Sequence, residues 1–255
     1  MMKMNEEIAA LTEALEDWIR QVVSGAGSRG VVVGLSGGID SAAAAALAVR
    51  ALGAENVLGL VMPCESLPED TEDGIRIARH LSIPHKVLKL DDLLNLFLLT
   101  ADLGNATRLE KANVKARLRM TMLYAHSRHR LVLGTSNYSE ILVGYWTKWG
   151  DGASDMLPLG RLYKDEVYRL SRYMGLPKWV LDRTPSAGLW SGQSDEEEMG
   201  VTYSAIRSYF QGEDVSGKAA GRIEEMVRLT EHKRKPIVYF DARQWLNEKS
   251  PDGEK

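Results

Sequence analysis

The 255-residue sequence contains one cysteine, Cys64, so no intrachain disulfide can form and no cysteine cluster can hold zinc. It has no excess of basic charge: 32 Lys and Arg against 35 Asp and Glu give a formal net charge of -3, which removes any global electrostatic case for nucleic acid. No apolar run approaches the roughly 20 residues that a membrane-spanning helix needs. Residues Met1–Ala10 mix Lys3, Glu6 and Glu7 with apolar residues and lack the apolar core of a signal peptide. Internal repeats and low-complexity tracts are missing as well. These absences predict a soluble, cytoplasmic protein with neither nucleic-acid nor membrane partners, long enough for one α/β domain over residues 1–255.

Two common nucleotide signatures are also lacking. A P-loop needs G-x-x-x-x-G-K-[ST], which occurs nowhere, and a dinucleotide fingerprint needs G-x-G-x-x-G, for which Gly34, Gly37 and Gly38 have the wrong spacing. What is present is the stretch Arg29–Ser41. Val31–Val33 reads as a buried strand, Gly34–Gly38 as a tight turn, and the alanines from Ala42 to Ala46 as the start of a helix. Glycines let backbone amides approach a ligand, and the unpaired amides of a helix start attract anions. Asp40 then sets a carboxylate beside that anion, which is repulsive unless a cation bridges them; Mg²⁺ with a polyphosphate is the simplest answer.

The remaining periodicity describes an α/β chain. An amphipathic helix (Ile8, Leu11, Leu15, Trp18, Ile19, Val22) fills residues 1–28, before the first strand. Asn56–Met62 is a second strand, Pro68–Leu81 a helix with acids in its first turn, and Lys86–Leu90 a third strand. Helices follow over Asp91–Leu99 and Ala112–His126, the second with a basic face (Lys111, Lys115, Arg117, Arg119) whose plainest role is solvation. Leu131–Leu133 with Gly134–Asn137 repeats the strand-and-turn logic of the opening stretch, so both turns should face one crevice of an open, mostly parallel twisted sheet with helices on both faces. Trp146–Gly160 reads as an ordered loop, Lys164–Met174 as a helix, and Ser186–Ser194 as a lid over the reacting centre. Three more helical or turn segments precede a polar tail, Pro251–Lys255.

Gly34-Leu35-Ser36-Gly37-Gly38 formally matches the hydrolase elbow G-x-S-x-G, but that fold builds several strands before its serine, and here only one helix precedes the turn. A helix-capping turn would need less polarity than Ser36, Asp40 and Ser41 together supply. Ser36-Gly37-Gly38-Ile39-Asp40-Ser41 after a strand instead resembles the pyrophosphate loop of the ATP pyrophosphatases, in the adenine nucleotide alpha hydrolase-like superfamily, which adenylate a substrate and release pyrophosphate. Asn113–Arg117, Gly134–Glu140, Lys148–Gly152 with Asp155, Pro158-Leu159 and Glu231–Lys235 occur in the order seen in NAD synthetases, so from Ile8 to Lys235 the chain is similar to the ammonia-dependent members of that family.

That resemblance implies a Rossmann-like fold, an acyl-adenylate route from deamido-NAD to NAD with ATP and ammonia, and a homodimer whose interface helps form the dinucleotide site. It implies ATP contacts at Gly34, Leu35, Ser36, Gly37, Gly38, Ile39, Asp40, Ser41, Thr135, Lys164 and Ser186, the last often threonine in the family. Mg²⁺ falls to Asp40 and Glu140, the chemistry to Asp40 and Lys164, and deamido-NAD to Arg117, Lys148, Asp155, His232 and Lys233. Two other readings remain open at this stage: an ATP pyrophosphatase of the GMP-synthetase type, and an adenine-nucleotide-binding regulator without catalysis. Asp40→Ala should abolish magnesium-dependent pyrophosphate release in a coupled colorimetric assay, whereas undiminished release would remove Asp40 from the reaction.

Overall fold

The computed structural model describes residues 2–186 and 194–249. Four short apolar runs supply a parallel sheet: β1 (Gly30–Gly34), β2 (Val57–Val61), β3 (His85–Val87) and β4 (Arg130–Leu133), in the spatial order β3-β2-β1-β4. Around it lie α1 (Met2–Gly25), α2 (Ile39–Leu52), α3 (Pro68–His80), α4 (Asp91–Thr100), α5 (Arg108–Ala125), α6 (Tyr138–Val143) and α7 (Lys164–Tyr173). The remaining described helices are α8 (Lys178–Leu181), α9 (Asp195–Met199), α10 (Tyr203–Phe210), α11 (Gly217–Leu229), α12 (Glu231–Arg234) and α13 (Ala242–Lys249).

Most elements fall where the hydrophobic period predicts them, and the shifted edges have local causes. Helix α5 begins at Arg108 because Thr107 and Glu110 form a capping box ahead of its apolar positions. Strand β3 is short, yet the amides of Leu88 and Leu90 still donate to Val61 and Pro63 at 2.8 and 2.9 Å, which continues the pairing beyond it. After Ser194 there are five described helices instead of three segments, since α9 and α12 span only 5 and 4 residues and are too short to show a period. Most of the expected lid, Ser186–Ser194, and the tail Pro251–Lys255 lie outside the described residues.

Because strand side chains alternate, Val31, Val33, Val57 and Val61 face one layer and Val32, Leu58, Leu60 and Val132 the other. The first layer receives Ile19 of α1, Leu47 of α2, Leu170 of α7 and Val180 of α8; the second receives Leu94 of α4 with Val114 and Leu118 of α5. Burial on both faces explains why the strands are apolar throughout. The alanines of α2 are buried too, and their small side chains let α2 settle on the sheet while α1 and α7 close over it. A third cluster, with Val143, Met199, Ile206, Ile223 and Met226, joins α6, α9, α10 and α11 beside the turn that follows β4.

The strand order has one functional consequence. From β1 the chain moves outward to β2 and β3, and then returns to place β4 on the other flank of β1. Helices leaving β1 and β4 therefore diverge, which opens a crevice at their carboxyl ends. Leu170 has 0% exposure at the centre of the layer that holds α7 in place. Leu170→Ala should cost about 3 kcal/mol, read as a lower urea midpoint at unchanged slope, and a loss well under that would mean that α1 and α2 collapse into the cavity.

Candidate active site

Between β1 and α2 the chain makes the glycine turn. Gly37 takes φ +86°, a left-handed value that favours glycine, and Gly38 stands at the N-cap of α2 with no side chain to occupy the first amides of the helix. Ser41 closes the turn from within, donating to the Gly38 carbonyl at 2.9 Å and accepting from the Ser36 amide at 3.3 Å. Ser36 Oγ lies 3.2 Å from Ser41 Oγ and accepts from the Gly38 amide at 3.3 Å. Among the described residues no histidine bonds to it, so the formal elbow match has no base beside its serine.

Three helix starts converge next to this turn. Asp40 is in the first turn of α2, Glu140 in that of α6, and Lys164 is the first residue of α7. The Lys164 ammonium, in a side chain only 4% exposed, sits 2.5 Å from Asp40 Oδ2 and 3.7 Å from Glu140 Oε1. Asn137 ties the two acids together, since its Nδ2 donates to Asp40 Oδ1 at 3.1 Å and to Glu140 Oε1 at 2.7 Å while it caps α6. A third carboxylate, Asp195 of α9, accepts from Tyr203 at 2.9 Å, and the same hydroxyl reaches Glu140 Oε1 at 3.3 Å. Tyr145 closes on Asp195 from the other side at 3.2 Å.

Charge is out of balance here, with three acids around one ammonium. Burial, then the charge of Asp40, pushes the Glu140 carboxyl up to about 8, with Lys164 pulling the other way. Burial likewise raises Asp195 against the opposing charge of Lys164. For Lys164 burial disfavours the ammonium, but Asp40 and Glu140 outweigh it and the pKa rises, so the cation persists. Burial and the adjacent acids raise Tyr203 and Tyr145, which stay protonated as donors.

A cavity of about 650 Å³ opens from this cluster, lined by Thr135, Ser186 and the glycine turn and also by the basic group Arg117, Lys148, His232 and Lys233. The cations of the basic group rest on neutral groups. Lys148 Nζ donates to the His232 carbonyl at 2.7 Å, Lys233 Nζ to the carbonyls of Gly144 and Trp146 at 2.7 and 2.5 Å, and Arg117 to the Lys148 carbonyl at 3.2 Å. Among the described residues none of the three cations has a carboxylate within ion-pair distance, so this group suits a polyanion.

Asp155 is placed differently. It does not line the cavity; its Oδ2 accepts from the Val132 amide at 2.7 Å and its Oδ1 meets Tyr124 at 3.3 Å, so it holds β4 against α5. The basic face of α5 is also unlike a solvated surface. Lys115 is buried and pairs with Glu65 at 2.9 Å, and Arg119 reaches into the cavity wall, donating to the Met62 carbonyl and Ser66 Oγ at 3.1 Å each. Asn137, Asp195 and Tyr203 are site residues that sequence reasoning gave no role, and Arg119 is one to which it gave only solvation. Asp195 carries the least signal, because it opens the acidic run Asp195–Glu198, which has the look of a solvated helix start.

Among the described residues no three metal-ligating side chains form a ready cage. Mg²⁺ commonly takes only one or two carboxylates, completing its shell with phosphate oxygens and water. Asp40 and Glu140, held close together by Asn137, fit that pattern.

The Glu140 shift also sets a stability trend. Its folded value of about 8 lies above the ordinary 4.5, so between these pH values the folded chain keeps a proton that the unfolded chain has lost, and stability falls as pH rises. Metal-free Glu140→Gln should therefore melt above the metal-free wild type, by a gap that widens to about 5 °C from pH 5 to pH 8 in differential scanning calorimetry. A gap that is constant with pH would rule out carboxyl titration as its source.

Comparison with known proteins shows the family. The family model described as NAD synthase matches residues 11–237. The chain is 45% identical over 232 residues to the NH(3)-dependent NAD(+) synthetase of Archaeoglobus fulgidus, an alignment covering 88% of this chain and 93% of that protein. Among solved structures it is similar to the NMN synthetase of Francisella tularensis, with a TM-score of 0.88 and 39% identity over 92% of this chain and 98% of that one. It is also similar to the NH3-dependent NAD synthetase of Campylobacter jejuni, solved with a nitrate ion, with a TM-score of 0.79 and 31% identity over 92% and 99%.

Proposed function

The chain belongs to the NAD synthase family, and from that premise we infer that it is an ammonia-dependent NAD synthetase, which amidates deamido-NAD to NAD at the expense of ATP. The observation that carries this reading is the division of one cavity. One part of its lining is the glycine turn with Asp40, Glu140 and Lys164, and another is a group of cations resting on carbonyls.

ATP would lie with its phosphates on the Gly34–Ser41 turn, within reach of Thr135 and Ser186, and deamido-NAD would reach the same point from Arg117, Lys148, His232 and Lys233. The nicotinate carboxylate attacks the α-phosphorus, the bond to pyrophosphate breaks, and an acyl adenylate forms. The Lys164 ammonium and the first amides of α2 stabilise the charge that grows on the departing pyrophosphate. Asp40 and Glu140 would hold Mg²⁺, whose charge on the phosphates is what the ion supplies when bound. Ammonia then attacks the activated carbonyl and expels AMP. ATP does the activating, so no side-chain nucleophile is needed. Asp155 would act at one remove, by fixing β4 and Tyr124 rather than by touching the dinucleotide.

We assign the active form as a cytoplasmic homodimer. Val238 is 90% exposed, and with Ile237, Tyr239 and Phe240 it leaves an apolar strip that a second copy would cover, while the one thiol, buried Cys64, suits a reducing compartment.

The deciding assay supplies deamido-NAD, ATP, Mg²⁺ and ammonium and separates the products by chromatography. NAD, AMP and pyrophosphate should appear in equal amounts, and glutamine in place of ammonium should give none; ADP in place of AMP would reject adenylation. Because the Francisella tularensis neighbour is named for a mononucleotide product, nicotinate mononucleotide forms the parallel arm. A higher kcat/KM on that acceptor would transfer the assignment to it.

A further inference from the structure

Gly37, at the crest of the phosphate turn, is roofed. A Cβ built on it would lie 2.8 Å from Arg183 Nη1, 2.9 Å from Asp73 Cβ and 3.2 Å from the Asp70 carbonyl oxygen. Gly37 is accordingly buried, and it is the one member of Gly34–Ser41 that does not line the cavity. Its roof is a fork: the Arg183 guanidinium bridges two carboxylates about one turn apart on α3, taking Asp73 Oδ2 at 2.6 Å through Nη1 and Asp70 Oδ1 through Nη2. Asp73 also accepts from Arg76 at 2.8 Å, and Arg76 lies 4.0 Å over the ring of Trp179 on α8. Helix α3 is thus tied twice to the segment that runs from α8 to Ser186.

Two arginines face two aspartates in this group, so its charge is already balanced. A guanidinium engaged by two carboxylates has little charge left to offer a phosphate, and its value lies in the fixed planar spacing of its donors. Arg183 stands three residues before Ser186 in the chain, and Asp70, Arg183, Thr184, Pro185 and Ser186 all line the cavity. We propose that Arg183 is a positioning residue for ATP: by bridging Asp70 and Asp73 over Gly37 it braces the phosphate turn from outside and sets where Thr184–Ser186 enters the cavity. Among the described residues Arg117, Lys148, His232 and Lys233 make no hydrogen bond or ion pair with this fork, so its loss should be felt on ATP alone. The proposal rests on the reading of Gly34–Ser41 as the ATP turn.

Steady-state kinetics of the purified full chain with each substrate varied in turn provide the test, in the wild type, Arg183→Ala, Arg183→Lys and the double variant Asp70→Asn with Asp73→Asn. Arg183→Ala should raise KM for ATP about tenfold and leave KM for deamido-NAD within about twofold. Arg183→Lys keeps the charge but cannot span both acids, so it should fall between wild type and Arg183→Ala, and the double variant should reproduce the ATP defect. A merely structural role would move both Michaelis constants together. Parallel rises in both, or an unchanged KM for ATP in Arg183→Lys and the double variant, would overturn the proposal even if Arg183→Ala fails to fold. A wild type that turns ATP into AMP and pyrophosphate beside such unselective variants would condemn the proposal alone, whereas a wild type that forms no AMP would sink the ATP reading and the proposal with it.

Discussion

One buried ammonium organises the carboxyl end of the sheet. Lys164 starts α7, where the helix dipole opposes a cation, and it lies out of water. It persists because Asp40 and Glu140, at the dipole-favoured starts of α2 and α6, turn their carboxylates onto it and Asn137 fixes their spacing. Such a group is costly to build and costlier to break, since removing Lys164 or Asp40 strands the other at a penalty on the order of 3–5 kcal/mol. Its excess of acid over base is the property that suits it to receive a cation together with phosphate.

The basic group that lines the cavity is held in place by neutral packing. Gly144 ends α6 at φ +69°, and a Cβ there would lie 2.2 Å from Thr230 Oγ1, so α11 and α12 can dock against this loop only because the position is glycine. Thr230 Oγ1 donates at 2.9 Å to the Val143 carbonyl, and the docking carries Lys233 to the carbonyls of Gly144 and Trp146. The loop that bears Lys148 is anchored from α5, where Thr147 Oγ1 donates to Asn113 at 2.9 Å, and internally by Asp151, which accepts from the Thr147 amide at 3.0 Å. Cations that spend their hydrogen bonds on backbone carbonyls can exchange those bonds for stronger ones to phosphate.

Where the reading of the sequence succeeded, the signal was local. Val31–Val33, the alanine run of α2 and the amphipathic α1 each satisfy a short-range rule, and so do the glycine turn and the placing of Asp40 and Glu140 just beyond strand ends. Where it fell short, the partner was distant. Asp195 looks like the first of four solvated acids until Tyr203 and Tyr145 fold onto it, and Arg119 looks solvated until Met62, just beyond β2, supplies its carbonyl.

By itself, then, the sequence determined the strand-turn-helix unit that cradles an anion, the apolar strands of a parallel sheet, and a set of motifs in an order that resembles one family. Tertiary structure alone decided that β4 returns to the free flank of β1, which brings Lys164 to Asp40 across 124 positions and Arg183 to Asp70 across 113. The reason is physical: propensity and periodicity act over a few residues, whereas the balance of buried charge depends on which distant elements the core packing brings into contact.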